Sequence, residues 1–537
     1  SSTSRGLGDV YKRQIYILVL SLVFTGIAGV KAQTKESEKY AYRMERIRTA
    51  NPWNISYNSA GLIFNRNEDF SLVRLGYDYQ DGNYRNVFES TSEGCFKLNT
   101  ESFRKIKKVY FYGNFDFDYS HRQNKAWARV LDPYRTPIFL ADSTPGRQTL
   151  ELYRVNGGVG YELSRHFAIG GRMDFEVANN AKKRDARNKN VYMSLQIAPG
   201  IMYRSKWMNL GLNFIYGRKT EKVDIRIYGT GQNHEIFEFD GLWFYTSDVI
   251  KESGTIEREY RDNIYGGAAQ MEFYGKRWKF FNQLSITKGK EEIFRNKAGD
   301  NRGGEVEILV YDYDGAFQIT GEKYDHHLQG AADFTKSLLF ENLQRSIIID
   351  QSSQIVQFGR KNKSDIDAVK ADIHYTLYRN RTDYNSSWYM TVGGRGYIRE
   401  VKYRMFPVEF KHEVKSLEGY IDFNKNFLFK KGMLDCGVGG SYAEGSGTLL
   451  DRNSVAPEER PDIDLYKQRK DLLLQEYEFL TCDKFSVHVR LRYSYFLNRE
   501  KGMSLYADAR VNYLKAVSGM YKNKERTGIQ AVIGLAF

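Results

Sequence analysis

Thr527-Gly528-Ile529-Gln530-Ala531-Val532-Ile533-Gly534-Leu535-Ala536-Phe537 closes the chain. Successive side chains of a strand point to opposite faces, so Ile529, Ala531, Ile533, Leu535 and Phe537 share one face. The segment follows a basic turn, Lys522-Asn523-Lys524-Glu525-Arg526, and stops on an aromatic residue. It is an amphipathic strand with one wholly apolar side.

The other end carries an export pattern. Ile15 to Val30 has no charge, follows Lys12 and Arg13, and runs into Val30-Lys31-Ala32, which has the small residue a signal peptidase needs. The run is shorter than the roughly 20 residues of a spanning helix, so it is expected to be a secretory signal. Ser1 to Gln14 lacks an initiating Met, Met44 being the first in the chain, and is expected to be a non-native leader. Residues 1–32 are set apart on this basis; cleavage after Ala32 removes four cations and one anion and takes the net charge from +14 to +11.

Between the ends, strict alternation recurs over more than the 9 to 11 residues, roughly, that a tilted transmembrane strand requires. Val109, Phe111, Gly113, Phe115, Phe117 and Tyr119 alternate with Tyr110, Tyr112, Asn114, Asp116, Asp118 and Ser120. Phe167 to Val177 alternates with Arg172, Asp174 and Glu176 on the polar side, Met503 to Tyr513 with Asp508 and Arg510, and Phe485 to Tyr495 with Arg490 and Arg492. Strands of soluble sandwiches alternate too, but typically run only about five or six residues. Composition agrees: 40 Tyr and 33 Phe raise aromatics to 15%, while Pro numbers 8. Long ladders lose a donor at each Pro, and Tyr seats a ring at a lipid interface with its hydroxyl in water. A mean hydropathy of −0.58 suits strands with one polar side. The expected fold is therefore all-β, a transmembrane antiparallel up-and-down barrel of about 14 to 18 strands over residues 70–537. Residues 33–69, which do not alternate, are expected to form an amino-terminal leader or a lumen plug.

Gln123–Arg147, Lys288–Gly304 and Gly445–Lys470 are expected to be long extracellular loops. One conflict arises. A final strand running to the periplasm makes Asn498–Gly502 periplasmic and Thr481–Lys484 extracellular, which puts Gly445–Lys470 on the periplasmic side. Either a strand lies between Gly445 and Lys484, or one of the assigned strands does not span.

Chemistry is sparse. In Tyr324-Asp325-His326-His327 the two imidazoles fall on opposite faces of a strand and cannot easily serve one site. The remaining His residues lack companions of the GxSxG or HExxH type. Cys95, Cys436 and Cys482 form no zinc-type CxxC. No catalytic residue, metal or cofactor is expected. Basic runs sit at turns and do not form a nucleic-acid patch. Arg172, Asp174, Arg490, Arg492, Asp508 and Arg510 fall on polar faces and are expected to line the lumen.

Asn51-Pro52-Trp53-Asn54 followed by Tyr57-Asn58-Ser59-Ala60-Gly61-Leu62, ahead of Tyr- and Gly-rich strands, resembles a family of Bacteroidota outer-membrane β-barrel proteins of uncharacterised function, from about residue 45 to the terminus. Asn58-Ser59-Ala60-Gly61-Leu62 is also similar to the Asn-Pro-Ala-Gly-Leu motif of FadL-like transporters of hydrophobic compounds, with Ser59 in place of Pro. The last strand, with Ile533, Leu535 and Phe537, resembles the signal that directs barrels into the outer membrane. These likenesses imply Sec-type export, the barrel-assembly machinery as a partner, and residence in the Gram-negative outer membrane among lipid and lipopolysaccharide. The expected function is a channel for small or hydrophobic solutes, gated by the amino-terminal segment. The alternative is a structural or surface-binding barrel whose loops contact a protein or glycan; a barrel hydrolase is the third class.

Overall fold

A computed structural model of the chain describes residues 48–537 except 66–68, 232, 296–300, 350–351, 383–384, 406–407, 454–466 and 499–501. The export segment and residues 33–47 lie outside the described residues. Eighteen strands form one antiparallel sheet, from Phe70–Gly82 to Glu525–Ala536. The sheet closes because the first strand pairs with the last, Val73 opposite Leu535 and Tyr79 opposite Ile529. At the seam the Phe537 N–H donates to the Ser71 carbonyl at 3.0 Å and the Ser71 N–H returns a bond to the Phe537 carbonyl at 2.8 Å. Closure leaves no unpaired backbone to face lipid. Among the described residues no helix is long and apolar enough to cross a membrane.

The alternation fixes facing throughout. Along Met208–Arg226, Leu210, Leu212 and Phe214 are exposed on the outside, whereas Asn209 and Asn213 are buried on the inside. Outward aromatic residues cluster where strands end: Phe167, Tyr203, Trp207 and Trp278 are exposed at one level, Trp207 stacking on Phe273 at 5.8 Å. Tyr265, paired with Tyr216 at 5.4 Å between rings, stands nine residues above Tyr274 on the strand Thr255–Tyr274. At about 3.3 Å per residue and a tilt of about 40°, the two belts lie roughly 23 Å apart, close to the apolar band of an outer-membrane barrel. Leu212 falls between them. Leu212→Arg is expected to cost roughly 2 to 4 kcal/mol, whereas Gln80→Arg, on the inner face beside Glu93, should be nearly neutral; denaturant unfolding in lipid vesicles measures both, and equal costs would refute the facing.

The two ends of the barrel differ. Turns such as 107–108, 163–166, 205–207, 275–277 and 430–431 are short and lie at the end that holds Phe70 and Phe537, the periplasmic side of such barrels. The long connections, 126–145, 227–254 and 453–483, all lie at the opposite end. This removes the conflict raised by the sequence. Among its described residues the segment between Gly445 and Lys484 holds no spanning strand: the strand Gly432–Arg452 continues upward, Lys470–Thr481 is a helix, α1, and the next barrel strand of the sheet is Lys484–Asn498. Its Leu472, Leu473 and Glu476 are buried along one side, and Asp471 sits in its first turn, where a carboxylate suits the helix dipole. The loop expected at Lys288–Gly304 shrinks to 295–301, because strands Trp278–Phe294 and Arg302–Thr320 extend into it. Alternation missed Ser92–Ile106, Arg302–Thr320, Ser352–Thr382 and Val408–Phe429: Thr100, Ser102 and Arg104 interrupt the outward face of the first, and the other three run for much of their length above the membrane level.

Candidate functional site

The lumen is obstructed from both ends, by different parts of the chain. At the short-turn end, residues 51–65 form two 3₁₀ turns, Pro52–Ile55 and Ser59–Phe64. Asn51 caps the first through its Oδ1 on Trp53 N–H at 3.1 Å, and Asn58 caps the second on Ala60 N–H at 3.1 Å, the local bonding by which Asn starts a helical turn. Gly61 sits so close to Trp53 that a Cβ would overlap its ring.

The inner wall is shaped to receive this segment. A Cβ on Gly160 would lie 2.7 Å from the Ser59 carbonyl oxygen, one on Gly158 2.6 Å from Ser59 Oγ, one on Gly200 2.5 Å from Asn58 Oδ1, and one on Gly170 would overlap the backbone of Ala60. Glycines in strands permit such approach of a second backbone. Polar contacts complete the dock: Trp53 Nε1 donates to Glu272 at 2.8 Å, the Tyr57 hydroxyl to Asp312 at 3.0 Å, and Asn58 Nδ2 to Gln270 at 3.1 Å and the Ile201 carbonyl at 3.0 Å. Asn58 is fully buried. Arg48 adds an ion pair with Glu101.

At the opposite end the long connections fold inward. Phe139–Ala141, His234–Phe239, Phe244–Ile250 and Lys467–Gln468 make a four-stranded sheet of their own. With α1 it encloses a core of Phe139, Phe239, Trp243, Phe244, Leu472 and Leu473 against inward-facing wall residues. Phe244 stacks on wall residue Tyr403 at 4.8 Å and 7°, and Trp243 on Phe88 at 5.1 Å. The Trp243 indole donates to Glu476 of α1 at 2.6 Å. Polar latches tie this lid to the wall: Leu131 N–H to Glu221 at 3.0 Å, the Thr136 hydroxyl to Glu291 at 2.9 Å, Arg135 to Asp262, and Lys182 to Asp142 at 3.0 Å. Asp240 accepts from the Tyr403 hydroxyl at 2.8 Å and pairs with Lys363 at 3.0 Å; burial pushes its carboxyl up against the pull of that ammonium. Burial likewise raises the Tyr134 hydroxyl well above its usual range.

A cavity of about 410 Å³ remains along the wall near the seam, lined by Asp78, Glu93, Lys97, Asp118, Arg122, Arg154 and Arg510 among others. Most of these charges pair across strands, Lys97 with Asp78 at 2.6 Å, Arg122 with Glu93 at 3.0 Å and Arg154 with Asp118 at 3.2 Å. Arg510 instead donates to Asn512 at 2.9 Å, and among the described residues no carboxylate lies within ion-pair distance of it.

The residues singled out from sequence separate into three places. Arg172 holds Asp174 at 2.8 Å and donates to the Ser56 carbonyl at 2.9 Å, so this pair sits against the amino-terminal segment. Arg490 and Arg492 converge on Asp508, each at 2.7 Å. Arg510 lies in the cavity. Ile533 is exposed on the outer face, in the strand that closes the seam with Leu535 and Phe537.

A further polar cluster went unnoticed in the sequence. His374 Nδ1 lies 2.8 Å from Asp372 and its Nε2 3.0 Å from Gln329; Arg395 also reaches Asp372 at 2.8 Å, and the Tyr420 hydroxyl donates to it at 3.2 Å. Asp422 and His488 pair at 2.9 Å. Asp372-Ile373-His374 was the available signal, two titratable groups on one face of a strand. His326 is exposed beside the Tyr375 hydroxyl at 2.6 Å, while His327 is buried, so the two imidazoles do diverge. Among the described residues no group of three His, Cys, Asp or Glu side chains is placed to hold a metal ion.

The model of a family of unknown function, DUF6850, matches residues 59–537. The chain belongs to that family. The match takes in Ser59 to Leu62 of the docked segment as well as every barrel strand. No curated protein matches. Among solved structures, the ferric preacinetobactin receptor BauA of Acinetobacter baumannii aligns at a TM-score of 0.39 and 8% identity, over 88% of this chain and 80% of that one. The outer membrane transporter YddB of Escherichia coli aligns at 0.37 and 8%, over 87% and 80%. The RagAB peptide importer in its closed-closed state aligns at 0.37 and 6%, over 87% and 86%. This DUF6850 member folds as a closed antiparallel barrel of eighteen strands.

Proposed function

We propose that the chain is a channel for small hydrophilic solutes, closed at the periplasmic end by residues 48–65 and at the outer end by the lid. The docking of Asn58 to Leu62 against Gly158, Gly160, Gly170 and Gly200 supports this reading most directly. A wall pared to glycine at the positions where a second backbone arrives suits a segment that seats reproducibly, as a gate does. The pieces at the two ends are built from separate parts of the chain, so each can move without unfolding the barrel.

The charged lining of the cavity favours a hydrophilic solute over the hydrophobic one that the FadL-like motif implied. Desolvating paired charges around an apolar solute would cost energy that nothing there recovers. Arg510, which donates to Asn512 and meets no carboxylate among the described residues, tips the cavity toward anions. In planar bilayers under a salt gradient, the protein opened by removal of both closures is expected to show a mildly anion-selective reversal potential, which Arg510→Glu should move toward cation selectivity. An unchanged reversal potential would mean that solutes do not pass Arg510. No catalysis is part of this reading.

A further inference from the structure

The hairpin Tyr324–Ile349 and Ser352–Thr382 outgrows its neighbours. Its first strand last pairs with the adjoining strand at Glu341 opposite Gly304, and its second at Ser364 opposite Tyr403. Beyond those points the two arms pair only with each other, Gln344 with Gln357 and Ser346 with Ile355, up to Ile349 with Ser352. Phe358 stands 24 residues from Thr382, so it rises roughly 60 Å from the periplasmic end, well clear of the upper aromatic belt. Arg360 anchors the root through Glu305 and Glu307 and lies 4.2 Å over the Phe340 ring.

Three properties of this ribbon point to a partner. Among the described residues, no backbone bond from outside the ribbon reaches 347–349 or 352–361, so both edges present open donors and acceptors there. Apolar side chains stand in water: Ile348 is 80% exposed and Phe358 68%, with Ile355 and Val356 near 40%. Among the described residues Arg345 and Lys361 have no ion-pair partner, and the sequence from Asn342 to Lys363 holds a single carboxylate, Asp350. A long, exposed, apolar edge invites strand addition, and natural proteins shield or charge such edges unless they are used. The described parts of the long loops expected to meet a partner pack into the lid, and the ribbon projects beyond the adjoining strands.

We infer that the ribbon is the docking site of an extended segment of another cell-surface protein, added as a strand to its open edge and carrying apolar side chains with carboxylates among them. A second copy of this chain fits less well. Two barrels in one membrane share an axis along the membrane normal, so their ribbons would meet in parallel with Arg345 and Lys361 facing their own counterparts. This docking is independent of whether the barrel conducts.

A photoreactive amino acid placed at Gln354, which is exposed, tests the assignment in intact cells. The expected result is one polypeptide adduct that falls about tenfold or more in the double variant Val356→Lys, Phe358→Lys, which charges the edge. Heat-modifiable mobility of that variant, unchanged, shows that its barrel is folded. Adducts only with lipopolysaccharide, adducts at twice the chain's mass, no adduct, or an adduct insensitive to the lysines would each overturn the proposal.

Discussion

Excising residues 48–65 and breaking the lid together are expected to give steady open-channel current in planar bilayers, where the intact protein gives none. The excised segment supplies Trp53, Asn58 and Leu62 to the short-turn end, and its loss exposes the glycine wall and leaves Glu272, Gln270 and Asp312 facing water in the lumen. Excision alone should give brief openings, because the lid core still covers the outer end. Gly170→Leu is expected to mimic excision in part, since its side chain enters the place of Ala60. A doubly opened protein that stays silent would rule out the lumen as a path. Equal currents from the single and double variants would show that the lid is no barrier.

The second large effect is in the lid itself. Trp243 is 5% exposed, stacks on Phe88, meets Phe239 edge-on at 4.8 Å and bonds Glu476. Trp243→Ala leaves a cavity and takes one hydrogen bond from the buried Glu476 carboxylate, at a cost of about 3 to 5 kcal/mol. The loss should stay local because the lid has its own sheet and core. Amide exchange of residues 234–250 is expected to speed up by roughly two to three orders of magnitude, at about 1.4 kcal/mol per tenfold, while the barrel keeps its resistance to unfolding without boiling. Exchange that rises equally in the strands would show that lid and barrel unfold as one unit.

The sparse catalytic inventory is consistent with these roles. The His374, Asp372, Arg395 and Tyr420 cluster is satisfied by its own members, and its bonds link the strands Tyr324–Ile349, Ser352–Thr382, Asn385–Met405 and Val408–Phe429 across the inner wall. Ion pairs of this kind brace the wall between the lid core and the docked amino-terminal segment. The lining of the cavity near the seam is thus mostly a network of cross-strand pairs, from which Arg510 departs by bonding Asn512.

What the amino-acid sequence determined by itself was everything that depends on period two. Ile529 to Phe537, Val109 to Tyr119 and Phe167 to Val177 each declare a lipid side and a water side within a dozen residues, and the closing strand declares the seam. The strand number fell within the expected range because each membrane crossing has to carry that pattern somewhere. Where strands ran on above the membrane, the need for an apolar outer face ended and the signal faded, which hid the upper halves of the longest hairpin; in Ser92–Ile106 the outward Thr100, Ser102 and Arg104 broke the pattern nearer the short-turn end. Tertiary structure alone decided which connections turn inward and where the amino-terminal segment rests. Trp53 meets Glu272 and Asn58 meets Gln270 across more than 200 positions of chain, and Phe244 meets Tyr403 from another loop. Such contacts leave no local period, because the side chains that close this lumen are matched in space by a barrel that must first exist to bring them together.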